Sequence, residues 1–283
     1  MALRIGACVV HIQSALRSVA QGIHLLYADY PLADENAFCD FHISVNRPRN
    51  LRRWIAPQVI FRFDNYVPFK PLPADQAFPL FEWGLNWCFS TQYHRYLVIH
   101  AAVIEKNGRA LIMPAPPGSG KSTLCAALVA RGWRLLSDEL TLVTPDTLDI
   151  VPMCRPVSLK NASISIIQNF DPSLIFGALA FDTGKGTVGH MQAPSASVQR
   201  SQETGLPAWV VFPQYEAGAK TQLSTHPKAS TFMRIAENSF NYSMLGIRGF
   251  ETVVKLVDRC GCYEFKYSDL DEAINAFHAL AEA

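Results

Sequence analysis

The chain has 283 residues, 25 Lys+Arg against 24 Asp+Glu, and a formal net charge of +1. Apolar residues make up 49% and charged residues 17%, where an ordinary globular domain carries about 25% charged. This excludes a disordered polyelectrolyte and a generally basic nucleic-acid binder, leaving room only for a local basic patch. The low charged fraction points to some surface buried against another chain, so a homo-oligomer is an expectation. No uncharged run nears the roughly 18–20 residues that span a bilayer. Arg4 precedes an apolar run that stops at His11 and Gln13, and no small-residue cleavage site follows it. The seven cysteines are scattered and odd in number, which reads as reduced, cytoplasmic usage without a membrane role. Cys260 and Cys262 are the one close pair; they lack further partners at ligand spacing and read as structural.

Residues 1–95 read as a smaller α+β region. Cys8–Ile12, Phe41–Val45 and Val59–Phe63 are β-rich runs of branched and aromatic residues. Pro68, Pro71 and Pro73 then punctuate the chain, and the spacing of Phe78, Phe81, Leu85 and Cys88 predicts a helix from Asp75 to about Tyr93. The main domain is expected over 96–283. Tyr96–Val103 is a strand candidate, Asn107-Gly108 is a hairpin-turn dipeptide, and Ala110–Met113 is the return strand. The strand entering the next motif is therefore expected to be antiparallel to its predecessor.

That motif is Ala115-Pro-Pro-Gly-Ser-Gly-Lys-Ser122, a Walker A pattern with Ala115 in place of the first Gly. A strand precedes it and a helix follows it, over Ser122–Arg131 and stopped at Gly132. Pro117, Gly118, Ser119, Gly120, Lys121, Ser122 and Thr123 are the candidate nucleotide-binding residues. Gly118 and Gly120 let the backbone curl so that its N–H groups converge on a β-phosphate. Lys121 neutralises β- and γ-oxygens, Ser122 offers a hydroxyl to Mg²⁺, and the helix N-terminus favours an anion. Trp133–Val143 reads as a strand, an acidic tip at Asp138-Glu139, and a second strand. Such a pair binds Mg²⁺ or accepts a proton from an attacking hydroxyl, so Ser122, Asp138 and Glu139 are the candidate metal residues. The alternative reading of the pair is a polar turn.

These residues resemble the HPr serine kinase/phosphorylase family, and more closely the HPr-kinase-related kinase A group. His100, Gly108 and Gly118 fit the family's order of strand histidine, hairpin and glycine-rich loop. Asp138 matches the family's catalytic base and Glu139 its second acid. In Met153-Cys-Arg-Pro-Val-Ser-Leu-Lys-Asn161, Arg155 and Asn161 fit the family's signature stretch. Met153 stands where the family has a metal-binding Glu, a departure that bears on metal geometry and on the reverse reaction, phosphorolysis. The resemblance implies an α/β P-loop kinase fold with a mixed, partly antiparallel sheet, shared with phosphoenolpyruvate carboxykinase. It also implies ATP, Mg²⁺ and a hydroxyl acceptor on a protein or peptide, with a small peptide-chaperone-like protein as a candidate partner.

The catalytic candidates are then Asp138, Lys121, Arg155 and His100, with Arg155 offsetting charge on the transferring group. Lys160 and Asn161 are candidates at the phosphate or acceptor, Asn161 alternatively capping a helix over Ala162–Gln168. Thr183–His190 reads as a flexible loop whose Lys185 and His190 close over the site. Further on, Trp209–Phe212 reads as a strand, Ser230–Phe240 and Phe250–Arg259 as helices, Tyr263–Tyr267 as a strand, and Ser268–Asp271 as the cap of a final helix. Two functions remain open at this point: a kinase, and a nucleotide-regulated ATP-binding or ATPase module that phosphorylates no acceptor. A carboxykinase would need a further transition-metal site, which the sequence does not supply.

Overall fold

Alternating burial builds the first sheet: in Phe41–Asn46, Phe41, Ile43 and Val45 point inward. The computed structural model describes residues 1–34, 36–116 and 118–282. In chain order the first elements are β1 (Ala2–Ile5), β2 (Cys8–Gln13), α1 (Arg17–Leu26), β3 (Phe41–Asn46), β4 (Gln58–Phe63), β5 (Leu72–Pro73) and α2 (Ala77–Gln92). The five strands form one sheet in sequence order, with β2 and β3 parallel and the other pairs antiparallel. Helix α2 lies close against β4: a Cβ on Gly84 would come within 2.0 Å of the Phe61 ring. Pro79 sits in the first turn of α2, where a missing N–H leaves no helical bond unmade.

The chain then runs through β6 (Leu97–Lys106), β7 (Arg109–Pro114), α3 (Lys121–Ala130), β8 (Arg134–Ser137), β9 (Leu140–Val143), β10 (Ile150–Val151), β11 (Val157–Lys160) and α4 (Ala162–Phe170). It continues with β12 (Ala180–Thr183), β13 (Gly186–Met191), α5 (Ser195–Gln199), β14 (Leu206–Tyr215), β15 (Gln222–Thr225) and α6 (Lys228–Glu237). The last elements are α7 (Tyr242–Leu245), α8 (Ile247–Arg259), β16 (Gly261–Tyr267) and α9 (Leu270–Glu282). The large sheet has the order β10-β9-β6-β7-β14-β16-β15, with β8 also on β6. Strand β7 is antiparallel to β6 and parallel to β14. The β6–β7 turn has positive φ at Asn107 (54°) and Gly108 (77°), as a tight hairpin requires. A third sheet, β11-β13-β12, is antiparallel.

One cluster of buried side chains runs from Leu3 and Phe61 through Phe81, Leu124 and Leu159 to Phe277. It crosses residue 95 without a break, so the first sheet and α2 share a core with one face of the large sheet. A second cluster, with Ile99, Ile112, Val210, Val253 and Leu256, fills the opposite face beneath α6 and α8. The large sheet is therefore covered on both faces, which fixes its strand ends firmly.

One expectation is refined and another corrected. Asp138-Glu139 does stand between two strands, β8 and β9, but not at a hairpin turn. Strands β8 and β9 both run antiparallel to β6, with Val103 opposite Ser137 and His100 opposite Leu140. The chain thus continues in one direction and leaves the ladder for two residues beside Ala101 and Ala102. Residues 183–190 are not a flexible loop either. They form the turn and second strand of the β12–β13 hairpin, closed by a 2.6 Å bond from Thr183 Oγ1 to the Gly186 carbonyl.

Candidate functional site

The glycine-rich loop joins β7 to α3. Gly118 and Gly120 both take left-handed backbone, at φ 85° and 87°, a region costly for residues with a Cβ. A Cβ on Gly120 would lie 2.4 Å from Tyr267 Oη. That hydroxyl donates to the Gly120 carbonyl at 3.1 Å, and Tyr215 N donates to the Ser119 carbonyl at 2.9 Å. The ends of β14 and β16 therefore hold the loop in place. Lys121 opens α3, so the free N–H groups of its first turn face the same space. Pro117 lies outside the described residues.

Above the loop is a cavity of about 850 Å³, lined by Gly118–Thr123 and by His100, Glu139, Lys160 and Asn161. Its volume falls in the usual range of ligand pockets, about 300–1,000 Å³. Its lining also includes Phe170 and Leu270, together with Tyr215 and Tyr267, which flank the loop. Polar and aromatic side chains therefore share this lining. Lys121 Nζ lies 3.4 Å from His100 Nε2. Burial, then the Lys121 charge, pushes the His100 imidazole down to about 4; it is neutral at ordinary pH and presents a dipole to the ammonium.

Asp138 faces the start of α3. Its Oδ2 lies 3.4 Å from Ser122 Oγ and accepts from Ser158 N at 3.1 Å. Its Oδ1 is buried without a hydrogen-bond partner among the described residues. Burial raises this carboxyl to about 6, against the pull of Lys121. Glu139 behaves oppositely. Burial would raise it, but Lys121, Arg155, Lys160 and Lys185 together hold it below the usual carboxylate range. Neighbouring acids with separated ionisation suit a proton acceptor beside a fixed anion. Ser122 Oγ, Asp138 and Glu139 are also a hard-oxygen donor set. Among the described residues no group of three or more His, Cys, Asp or Glu gathers as a metal cluster.

A polar relay from the N-terminal half reaches this acid. Asn86 Nδ2 donates to Glu139 Oε2 at 2.6 Å, and Asn86 Oδ1 accepts from Arg155. Arg155 pairs with Glu82 at 3.1 Å, and Tyr27 Oη donates to Glu82 Oε1 at 2.6 Å. Arg155, placed by the sequence at the transferring group, is instead buried behind the cavity and committed to this relay; it does not line the large cavity. Burial works against its charge, but Glu82 and its neighbours more than offset that and hold it protonated. Glu82, Asn86 and Tyr27 escaped the sequence reading. The signal was present: Glu82 and Asn86 are polar, four apart, in a helix otherwise apolar as far as Phe89, and polar groups there demand buried partners.

The other candidates divide. Lys160 and Asn161 reach the cavity. Asn161 adopts φ 52° ahead of α4 but caps nothing through its side chain; Oδ1 accepts from Thr187 N at 3.0 Å. Lys185 Nζ sits 5.1 Å from the Trp83 ring centroid, near the acids but outside the cavity. His190 is 1% exposed, edge-on to Phe78, with Nε2 unpartnered among the described residues; burial pushes it down to about 4. It closes over nothing. Met153 is buried in the core cluster, away from the acids' open side. Cys260 and Cys262 are buried free thiols. A small void of about 10 Å³, room for about one water, lies behind the acids, bordered by Trp83, Asp138, Ser158 and His190. The Trp83 Nε1 and Ser158 Oγ atoms are also buried and unpartnered among the described residues.

Comparison with known proteins adds two findings. The family model of SynChlorMet cassette protein ScmC matches residues 84–149, less than a quarter of the chain but the stretch that holds Asn86, His100, the loop and both acids. Among solved structures, the Hpr(Ser) kinase/phosphatase from Coxiella burnetii is similar at 11% identity, covering 65% of this chain and 96% of that one, with a TM-score of 0.29. At that score the likeness carries no argument. No curated protein matches the sequence.

Proposed function

We propose that this protein is an ATP- and Mg²⁺-dependent kinase that transfers a phosphoryl group to a hydroxyl of a protein or peptide. The observation that carries the reading is the meeting of the left-handed Gly118/Gly120 loop, Lys121 at the start of α3 and Glu139 at one cavity, with Asp138 just behind its wall, 3.4 Å from Ser122 Oγ. The space over Gly118, open where a Cβ would stand, and the N–H groups at the start of α3 fit a polyphosphate. The aromatic side chains of the cavity lining suit a nucleobase. The hard-oxygen set of Ser122 Oγ, Asp138 Oδ2 and Glu139 fits a divalent cation that keeps part of its water shell, which leaves Asp138 Oδ1 without a partner among the described residues. When bound, Mg²⁺ would offset charge on the phosphoryl oxygens.

The residues then divide the work. The loop amides and Lys121 bind and orient the phosphates. Asp138 takes the proton of the attacking hydroxyl at its free Oδ1, while Ser158 N and Ser122 keep Oδ2 in place. Neutral His100 leaves the Lys121 charge undiminished. Glu139, held anionic by the surrounding cations and fixed by Asn86, offsets their field on the cation's side. Catalysis on this account is positioning and electrostatics.

The test is incubation with γ-labelled ATP, Mg²⁺ and candidate acceptor proteins, the small peptide-chaperone-like class first. Label on one hydroxyl is expected, lost in Asp138→Asn while nucleotide binding persists. Transfer at the native rate by Asp138→Asn would refute the base assignment, and label only in free phosphate would refute the kinase reading.

A further inference from the structure

The connection between β3 and β4, residues 47–57, is unlike the rest of the surface. It carries Arg47, Arg49, Arg52 and Arg53, and no acid occurs between Asp40 and Asp64. Among the described residues none of these four arginines forms an ion pair. Leu51, Trp54 and Ile55 beside them are 76%, 71% and 65% exposed. The segment is nonetheless built. Leu51–Arg53 is a 3₁₀ turn capped by Asn50, whose Oδ1 accepts from Arg52 N at 3.0 Å. Trp54 N and Ile55 N both donate to the Leu51 carbonyl at 3.0 Å, and Arg53 lies 5.3 Å from the Trp54 ring centroid. Order of this kind presents Trp and Arg at low entropic cost, and these are the residue types that dominate recognition hot spots.

At the foot of the segment is an open groove of about 370 Å³ between Ala56-Pro57-Gln58 and Pro73-Ala74-Asp75. The next residue, Gln76, donates from Nε2 to the Asp182 carbonyl of the β12–β13 hairpin at 3.3 Å. Helix α2 then leads to Asn86 and Glu139. Ten residues separate Gln76 from Asn86, about 15 Å at the helical rise, a span that about five residues of extended chain cover.

We propose that residues 47–57 and this groove dock an acidic peptide segment of the acceptor, placed about five residues or more from the hydroxyl that is modified. The arginines pair with carboxylates through two-pronged hydrogen bonds, and Trp54, Ile55 and the groove take an apolar side chain. The groove favours a peptide over an anionic bilayer, which could meet the arginines and Trp54 but not fill a recess. The word acceptor rests on the kinase reading; the docking itself does not.

Trp54 serves as the reporter, since Trp133 and Trp209 are buried and Trp83 and Trp87 are largely covered. The full chain is titrated, without nucleotide, with a synthetic peptide of about twelve residues carrying glutamates around one leucine and one serine. Two controls run in parallel: the same peptide with lysines for glutamates, and phosphatidylcholine/phosphatidylglycerol vesicles. A saturable change in Trp54 emission is expected with the acidic peptide alone, weakened at least about tenfold by Arg52→Glu/Arg53→Glu and by high salt. The surface position of the arginines leaves the fold intact, to be checked by an unchanged melting curve. No saturation, equal affinity in the double variant, or a response to vesicles instead of peptide would overturn the proposal. Because the titration holds no nucleotide, its result stands apart from the labelled-ATP test: saturable peptide binding with label found only in free phosphate there would leave the docking surface standing and remove the kinase reading alone.

Discussion

Asn86 Nδ2 donates a 2.6 Å hydrogen bond to Glu139 Oε2. A helix from the N-terminal half thereby fixes an acid that belongs to the large sheet, and the relay behind it continues through Arg155 and Glu82 to Tyr27. Outer-shell partners of this kind typically change activity or metal affinity by about 10–100-fold. Asn86→Ala is expected to lower kcat for phosphoryl transfer by that factor and, because it leaves buried Arg155 and Glu139 each short of a partner, to cost about 1–3 kcal/mol of stability as well. Steady-state kinetics beside a thermal melt checks this; native kcat would show that Glu139 needs no support.

Arg155 tests the same relay through stability. Removing one partner of a buried pair strands the other charge, at about 3–5 kcal/mol. Arg155→Met should cost that much in urea unfolding, and Arg155→Met/Glu82→Gln should recover a large part of it. An Arg155 that acted on phosphate would instead lose activity with unfolding unchanged.

Gly120 is a backbone test. Its φ of 87° and the 2.4 Å approach of Tyr267 Oη to an added Cβ mean that Gly120→Ala must displace either the loop or β16. Nucleotide affinity should fall at least about tenfold, while Tyr267→Phe, which removes one hydrogen bond, should cost about 1 kcal/mol of stability.

His190 gives a pH signature. Burial lowers it from 6.5 to about 4, so the unfolded chain binds its proton first as pH falls. Stability from this group is full above pH 6.5 and is lost on descending towards pH 4, by about 3 kcal/mol. Urea midpoints of the native protein and His190→Gln across that window should converge as pH falls. Parallel curves would show that His190 is not the titrating group.

The sequence made the β6–β7 hairpin, the glycine-rich loop and its helix legible, because Asn107-Gly108 and the Gly118–Ser122 pattern each dictate a local backbone. It also located both acids in the chain. Their setting was not legible. That both flanking strands pair with β6 and run the same way is a long-range pairing that no local window contains. Arg155 failed for a related reason: its partners Glu82 and Asn86 are some 70 positions earlier, and only the shared core brings α2 behind the cavity. The hairpin at 183–190 looked mobile because Gly184 and Gly186 weaken a strand signal; its order comes from pairing with β11.

The central claim is that the loop and Lys121 hold a nucleotide's phosphates. Calorimetric titration of Mg·ATP into native and Lys121→Ala protein tests it most directly. The account predicts saturable binding by the native protein, weakened at least about tenfold by the substitution. No saturable heat, or equal affinity in both proteins, would contradict it.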